Sequence, residues 1–161
     1  MNNNTLIWKD PLYLMSSLNE EEKMILESTR EFCKTYLYSR VIEDNKKKKF
    51  DKNLYKEFGK LGVLGSTIKG YDCPGVSNIS YGLIAKEFEA IDSGYRSAIS
   101  VQSSLVMHPI YEFGSEEQKK RYLPKLSKGE LIGCFGLTES EAGSDPSSLK
   151  TTFVNKNNGY I

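Results

Sequence analysis

Asn19-Glu20-Glu21-Glu22-Lys23-Met24-Ile25-Leu26-Glu27-Ser28-Thr29-Arg30-Glu31-Phe32-Cys33-Lys34-Thr35-Tyr36-Leu37 decides the class of fold. It holds neither glycine nor proline, and Asn19 precedes Glu22 by three residues. In that spacing a side-chain oxygen and a carboxylate satisfy the first unpaired N–H groups of a helix. The same character runs to about Val41. Ile25, Phe32, Tyr36 and Leu37, with Met24 and Cys33 beside them, recur at steps of three and four and predict one apolar stripe facing a core.

Outward from this helix the pattern repeats. Asp51 caps a shorter helix carrying Leu54, Tyr55, Phe58 and Leu61, which stops at Gly62 in the usual C-terminal glycine position. Gly65, Gly70, Pro74 and Gly75 make the next stretch a loop. Ser77 starts a third helix with Ile79, Leu83, Ile84, Phe88 and Ile91 on its buried side. Asp92-Ser93-Gly94 separates it from a fourth through Ala98, Val101 and Leu105, which Pro109 should kink or end. Ser115-Glu116-Glu117-Gln118 is a full capping box, so a fifth helix starts there and ends near Pro124 or the Lys128-Gly129 step.

After Gly129 the character changes. Leu131-Ile132-Gly133-Cys134-Phe135-Gly136-Leu137-Thr138 is apolar but too glycine-rich for a helix, and predicts a strand. Thr151 to Val154 predicts another, followed by the turn residues Asn155-Lys156-Asn157-Asn158-Gly159, with only Tyr160 and Ile161 to return. A ladder left unpaired so soon predicts a chain that ends inside a β domain, that is, a truncated product. The expected organisation is a helical domain over 1–130 and an incomplete β domain over 131–161.

Composition narrows the function classes. The chain has 161 residues, 22 basic against 21 acidic side chains and a net charge of +1, which favours neither disorder nor a nucleic-acid-binding protein. No apolar run is long enough to cross a membrane as a helix, and the first residues show no targeting segment. Three widely separated cysteines, Cys33, Cys73 and Cys134, with one histidine, give no metal-binding pattern and suit free thiols in a reducing compartment. Lys46 to Lys49, flanked by Glu43, Asp44 and Asp51, predicts a solvated loop between helices. His108 has no nucleophile or acid partner at a recognisable spacing and is expected to pack structurally. Tyr36, Tyr55 and the other aromatics are expected in the core by their spacing.

The sharpest local signal is Phe135-Gly136-Leu137-Thr138-Glu139-Ser140-Glu141-Ala142-Gly143-Ser144-Asp145. A strand opening into a Gly/Ser/Thr loop offers backbone N–H groups and hydroxyls to a polar, phosphate-bearing ligand, although the same residues also make ordinary turns. It is neither a P-loop nor a dinucleotide fingerprint.

With what precedes it, this loop resembles the acyl-CoA dehydrogenase family, in which a helical N-terminal domain leads into a β domain through a T-E-P-x-x-G-S-D motif. Thr138-Glu139 and Gly143-Ser144-Asp145 match; Ser140 stands where the motif has proline, and Glu141 follows it. Within the family the nearest likeness is to glutaryl-CoA dehydrogenases: Trp8-Lys9-Asp10-Pro11, Gly62-Val63-Leu64-Gly65, Thr67-Ile68-Lys69-Gly70-Tyr71, Asp92-Ser93-Gly94-Tyr95-Arg96-Ser97-Ala98, the stretch Ser100 to Ile110, and Gly133 to Thr138. The likeness spans Trp8 to Tyr160 but only the N-terminal part of the family's length.

The resemblance implies a mainly α fold, an N-terminal helical bundle followed by the truncated start of the middle β domain. It implies FAD contacts from Phe135, Gly136, Leu137, Thr138, Gly143 and Ser144, with Thr138 at the polar edge of the isoalloxazine and Ser144 near the phosphates and the acyl-CoA. Arg96 and Ser97, with Ser144, are the implied substrate-binding residues. A guanidinium suits the distal carboxylate of glutaryl-CoA because it offers two aligned donors and keeps its charge when desolvated.

Loss of the motif's proline and the added charge of Glu141 are expected to weaken flavin binding. The implied reaction is α,β-dehydrogenation, with decarboxylation, in lysine and tryptophan degradation. Its implied setting is a homotetramer passing electrons to electron-transfer flavoprotein in the bacterial cytoplasm or mitochondrial matrix. The family's glutamate base lies beyond Ile161, so no catalytic residue is assigned here. The chain alone is expected neither to retain FAD nor to oxidise acyl-CoA. The alternative is a non-catalytic helical binding or assembly protein derived from such an enzyme.

Overall fold

The computed structural model describes residues 10–156 and 159–160. Trp8 and Lys9 of the first matching motif, the turn residues Asn157 and Asn158, and Ile161 lie outside the described residues.

Helix α1 (Glu20–Phe32) starts on the predicted capping box: the Asn19 side chain accepts from Glu22 N at 2.9 Å, and the Glu22 carboxylate accepts from Asn19 N at 3.1 Å. It continues through a π turn, Cys33–Leu37. The core face follows the predicted stripe in part, with Cys33 and Leu37 in the core and Ile25 and Phe32 packed against it. Leu26, Thr29, Cys33 and Leu37 are buried, whereas Met24 is 65% and Tyr36 54% exposed. The buried set keeps the three- and four-residue steps. Tyr36 lies outside the core and stacks on half-buried Phe32 with ring centroids 5.0 Å apart.

A short helix α2 (Val41–Lys46) takes up the first lysine of the run expected to be all loop. Arg40 at its N-terminal end pairs with both Asp44 (2.7 Å) and Asp51 (3.0 Å), tying the two sides of the Lys47–Lys49 link together. Helix α3 (Leu54–Leu61) begins one turn after Asp51, whose carboxylate accepts from Asn53 N rather than from inside the helix, and ends at Gly62 with φ +78°.

The glycine-rich loop that follows contains a small hairpin, β1 (Lys69–Gly70) against β2 (Cys73–Pro74). Its tip residues Tyr71 and Asp72 both have positive φ, and each is held from α7 (Glu116–Ser127): the Tyr71 hydroxyl donates to Glu116, and Asp72 meets Lys128 just past the helix end. Ser115 caps α7 with the predicted capping box.

Helix α4 (Asn78–Glu89) packs on α1. Glu22 accepts from Ser77 at one end and Arg30 donates twice to Glu87 at the other, so the two helices run in the same direction. Beyond Asp92 the chain turns back as α5 (Ser93–Ser100), a π segment (Val101–Met107) and α6 (His108–Phe113), without interruption. Pro109 therefore does not end the helix where expected. His108 N–H bonds to Ser103 O, five residues back, and Pro109 falls in the first turn of α6, where its missing N–H costs little. His108 itself is exposed rather than packed.

The core is one cluster built around Leu37, Phe58, Leu64, Phe88, Ile99 and Met107, with the Phe58 and Phe88 rings edge to face at 5.2 Å. Ile79, expected on the buried side of α4, is exposed, and Ser80 beside it is buried.

The predicted strand over Leu131–Thr138 does not form. The chain there is extended but has no strand beside it among the described residues. A ladder needs a neighbour to bond to, and the polar groups of Leu131 and Gly133 are instead taken by a side chain, described below. The final hairpin is present but shifted, as β3 (Asn155–Lys156) antiparallel to β4 (Gly159–Tyr160), so Thr151–Val154 precedes it.

Candidate functional site

The start of α5 gathers one part of the site. Asp92 caps the helix by accepting from Gly94 N at 2.7 Å, which places Arg96 in the first turn. Arg96 Nε donates to Glu89 Oε2 at 2.6 Å, and Ser93 Oγ donates to Glu89 Oε1 at 2.7 Å. Arg96, and after it Ser93, hold the Glu89 carboxyl below the usual glutamate range. Further along the α4–α5 pair, the Tyr81 hydroxyl lies 3.2 Å from Ser100 Oγ and 3.3 Å from Ser104 Oγ. The two helices thus share a polar seam, with Arg96 at its end.

Ser97 lies on a different side. It lines an open, mostly apolar groove of ≈ 380 Å³ with Phe50, Tyr55, Val101 and Ile132. Arg96 and Ser97, adjacent in sequence, therefore meet different surroundings, and Ser97 is the one brought beside the segment that leads to Phe135. Glu89 escaped sequence reasoning, though the signal existed: an acid seven residues before an arginine, across a tight helix–helix turn.

Gln102, a second residue that sequence reasoning missed, controls that segment. It is fully buried in the π turn, donates through Nε2 to Leu126 O (3.1 Å) and Leu131 O (2.8 Å), and accepts at Oε1 from Gly133 N (3.0 Å).

Beyond this clamp Phe135, Gly136, Leu137 and Thr138 are exposed, as are Gly143 and Ser144. Among the described residues none of these six enters a hydrogen bond. A Cβ at Gly136 or Gly143 would meet nothing within 4 Å. A row of unused backbone donors interleaved with Phe135 and Leu137 fits one face of a flat ring system with a polar edge. Glu139 and Ala142 exchange both backbone hydrogen bonds (3.2 and 3.1 Å) around Ser140-Glu141, so the turn closes without the motif's proline. The Glu139 carboxylate accepts from the amides of Lys150 (2.9 Å) and Thr151 (3.0 Å) and is held below the usual glutamate range, by Thr151 foremost. It anchors the loop; it faces no candidate substrate proton.

Capped helices stacked on one core, with an exit held by Gln102 into a Gly/Ser/Thr loop, make a mainly helical domain. The family described as "Acyl-CoA dehydrogenase, N-terminal domain" matches residues 19–130. The chain belongs to the acyl-CoA dehydrogenase family.

It is 34% identical over 145 residues to an acyl-CoA dehydrogenase of Bacillus subtilis, covering 89% of this chain and 38% of the relative. It is 32% identical over 151 residues to mitochondrial isovaleryl-CoA dehydrogenase of Bos taurus, covering 91% of this chain and 35% of that one. Its structure matches a glutaryl-CoA dehydrogenase from Mycobacterium smegmatis in complex with FADH2 with a TM-score of 0.86 and 45% identity, over 89% of this chain and 37% of that one. The chain thus spans little more than a third of the length of these relatives.

Proposed function

We propose that this chain is the N-terminal part of an FAD-dependent acyl-CoA dehydrogenase acting on a dicarboxylic acyl-CoA, glutaryl-CoA being the best fit. The observation that carries this is the pairing of Arg96 with Glu89 at the start of α5, one residue from the groove that joins Ser97 to Ile132. A guanidinium held at the surface by a carboxylate can exchange that partner for the distal carboxylate of a substrate. Ser97 adds a hydroxyl on the groove side.

Phe135, Gly136, Leu137, Thr138, Gly143 and Ser144 would hold one face of FAD, and Ser144 would also reach the acyl-CoA. Bound there, the flavin supplies the electron sink for α,β-dehydrogenation. The residues of this chain would bind and orient; Glu139 is committed to the amides of Lys150 and Thr151, and no residue of this chain is assigned as the base. Electron-transfer flavoprotein as acceptor, a homotetrameric assembly and the division into a helical domain and the start of a β domain belong to the same reading.

The test joins residues 1–161 to the remaining part of the Mycobacterium smegmatis glutaryl-CoA dehydrogenase. FAD retention is then read at 450 nm, and glutaryl-CoA and isovaleryl-CoA are assayed side by side. Arg96→Leu is expected to leave flavin content intact and to cost about 2–5 kcal/mol in kcat/KM for glutaryl-CoA alone. Equal losses on both substrates would remove Arg96 as the selectivity residue.

A further inference from the structure

We propose that Gln102 is the positioning residue of the candidate flavin-binding segment, fixing the direction in which residues 134–138 leave the helical domain. The proposal rests on the reading of that segment as a flavin wall.

A primary amide has two donor hydrogens and an acceptor oxygen, and Gln102 uses all three on backbone groups: Leu131 O and Gly133 N, which have no other hydrogen bond among the described residues, and Leu126 O, which also accepts from Gly129 N. Leu131 O and Gly133 N, two residues apart, would otherwise be orphans at the edge of the core. One side chain therefore fixes both the position and the rotation of the peptide units that precede Cys134. Its bond to Leu126 O refers that geometry to the end of α7.

The second grip comes from Val106, four residues further along the same π segment. A Cβ at Gly133 would collide with its methyl groups, so the chain passes the helix at a distance only glycine allows. The widened turn gives Gln102 and Val106 a common target. Because the amide is wholly buried, water cannot substitute for the protein groups it serves.

The experiment is amide hydrogen exchange on the 161-residue chain, each variant compared with the parent at the same pH. Gln102→Leu is expected to accelerate exchange at the Leu131 and Gly133 amides, the hydrogen-bonded ones of the segment, by about 10-fold or more while the amides of α1 and α4 keep their protection. Gln102→Glu supplies a readout that loss of packing would not mimic. Charged, it repels two carbonyl oxygens; protonated, it donates to one of them and accepts from Gly133 N. Protection of the Leu131 and Gly133 amides should therefore recover as the pH falls from about 8 to about 5, since burial raises a carboxyl's pKa.

Gly133→Ala should loosen the same segment without touching Gln102, and adding Val106→Ala should restore it. Unchanged exchange at the Leu131 and Gly133 amides in Gln102→Leu, or an equal rise over the whole core, overturns the proposal. In the joined protein described above, Gln102→Leu should weaken FAD retention where Arg96→Leu does not. If that protein holds FAD and Gln102→Leu leaves its affinity unchanged, the positioning role is overturned. If the unsubstituted joined protein holds no FAD, the flavin reading falls and the exchange data alone judge the clamp.

Discussion

At the scale of single residues, environment separates chemically identical groups. Burial pushes the Cys33 thiol up to about 12 and the Cys73 thiol up to about 11, whereas Cys134 is exposed on the extended segment. The thiolate is the nucleophile, so alkylation at neutral pH should label Cys134 first, Cys73 slowly and Cys33 only on unfolding. Mass spectrometry of timed iodoacetamide labelling checks the order, and early labelling of Cys33 would contradict the packing of α1.

Glu139 makes a second case. Its pKa is lowered by the groups of Thr151 and Lys150, so the anchoring is complete above the ordinary glutamate range. It is lost as the pH falls through the depressed value in the folded protein. Exchange at the Lys150 and Thr151 amides should therefore rise, relative to intrinsic rates, only in that acidic window, and Glu139→Gln should show the loosened state at neutral pH.

At the scale of elements, the backbone decides which substitutions are tolerated. Ser140 and Glu141 bridge a turn already closed by two Glu139–Ala142 hydrogen bonds. Neither has positive φ, and the Ser140 N–H bonds to nothing among the described residues. Ser140→Pro is expected to stabilise the fold by about 0.4–1 kcal/mol, chiefly by restricting the unfolded chain, as denaturant titration would show. A fall in stability would mean that the local φ is not near −65°.

Gly129, just past α7, is the opposite case. It has φ +67°, and a Cβ there would run into the carbonyl of Tyr55 in α3. Gly129→Ala must move α7 against α3 and should cost more than the roughly 1 kcal/mol typical of a point substitution.

At the scale of the whole molecule, stability rests on one aromatic and aliphatic cluster. Phe88 is fully buried between Phe32 and Phe58, with ring centroids at 6.2 and 5.2 Å. Phe88→Ala is expected to lose about 3–5 kcal/mol and to unfold α1, α4 and α5 together, giving coincident far-UV and near-UV transitions. In contrast, Leu131, Ile132, Phe135 and Leu137 leave an apolar run on the surface. Such a surface favours association, so the sedimentation coefficient should rise with protein concentration, and Leu137→Ser should reduce the rise.

The start, capping and helical character of α1, α4 and α7 were legible in the sequence because they depend on neighbours three or four residues away: Asn19 with Glu22, Ser77 with Ser80, Ser115 with Gln118. The residues proposed for the flavin and the substrate rest instead on the likeness of their motifs to those of a family. Most of the face of α1 that enters the core was legible too, Cys33 and Leu37 with Ile25 and Phe32 packed against them, but not that Met24 and Tyr36 stand outside it. Nor could spacing show that Pro109 would be absorbed, since that depends on the wider turn beginning at Val101. The 131–138 segment read as a strand on composition, yet a strand exists only where a partner strand supplies hydrogen bonds. Here the supplier is Gln102, about thirty residues earlier in the chain, and only the tertiary structure brings the two together.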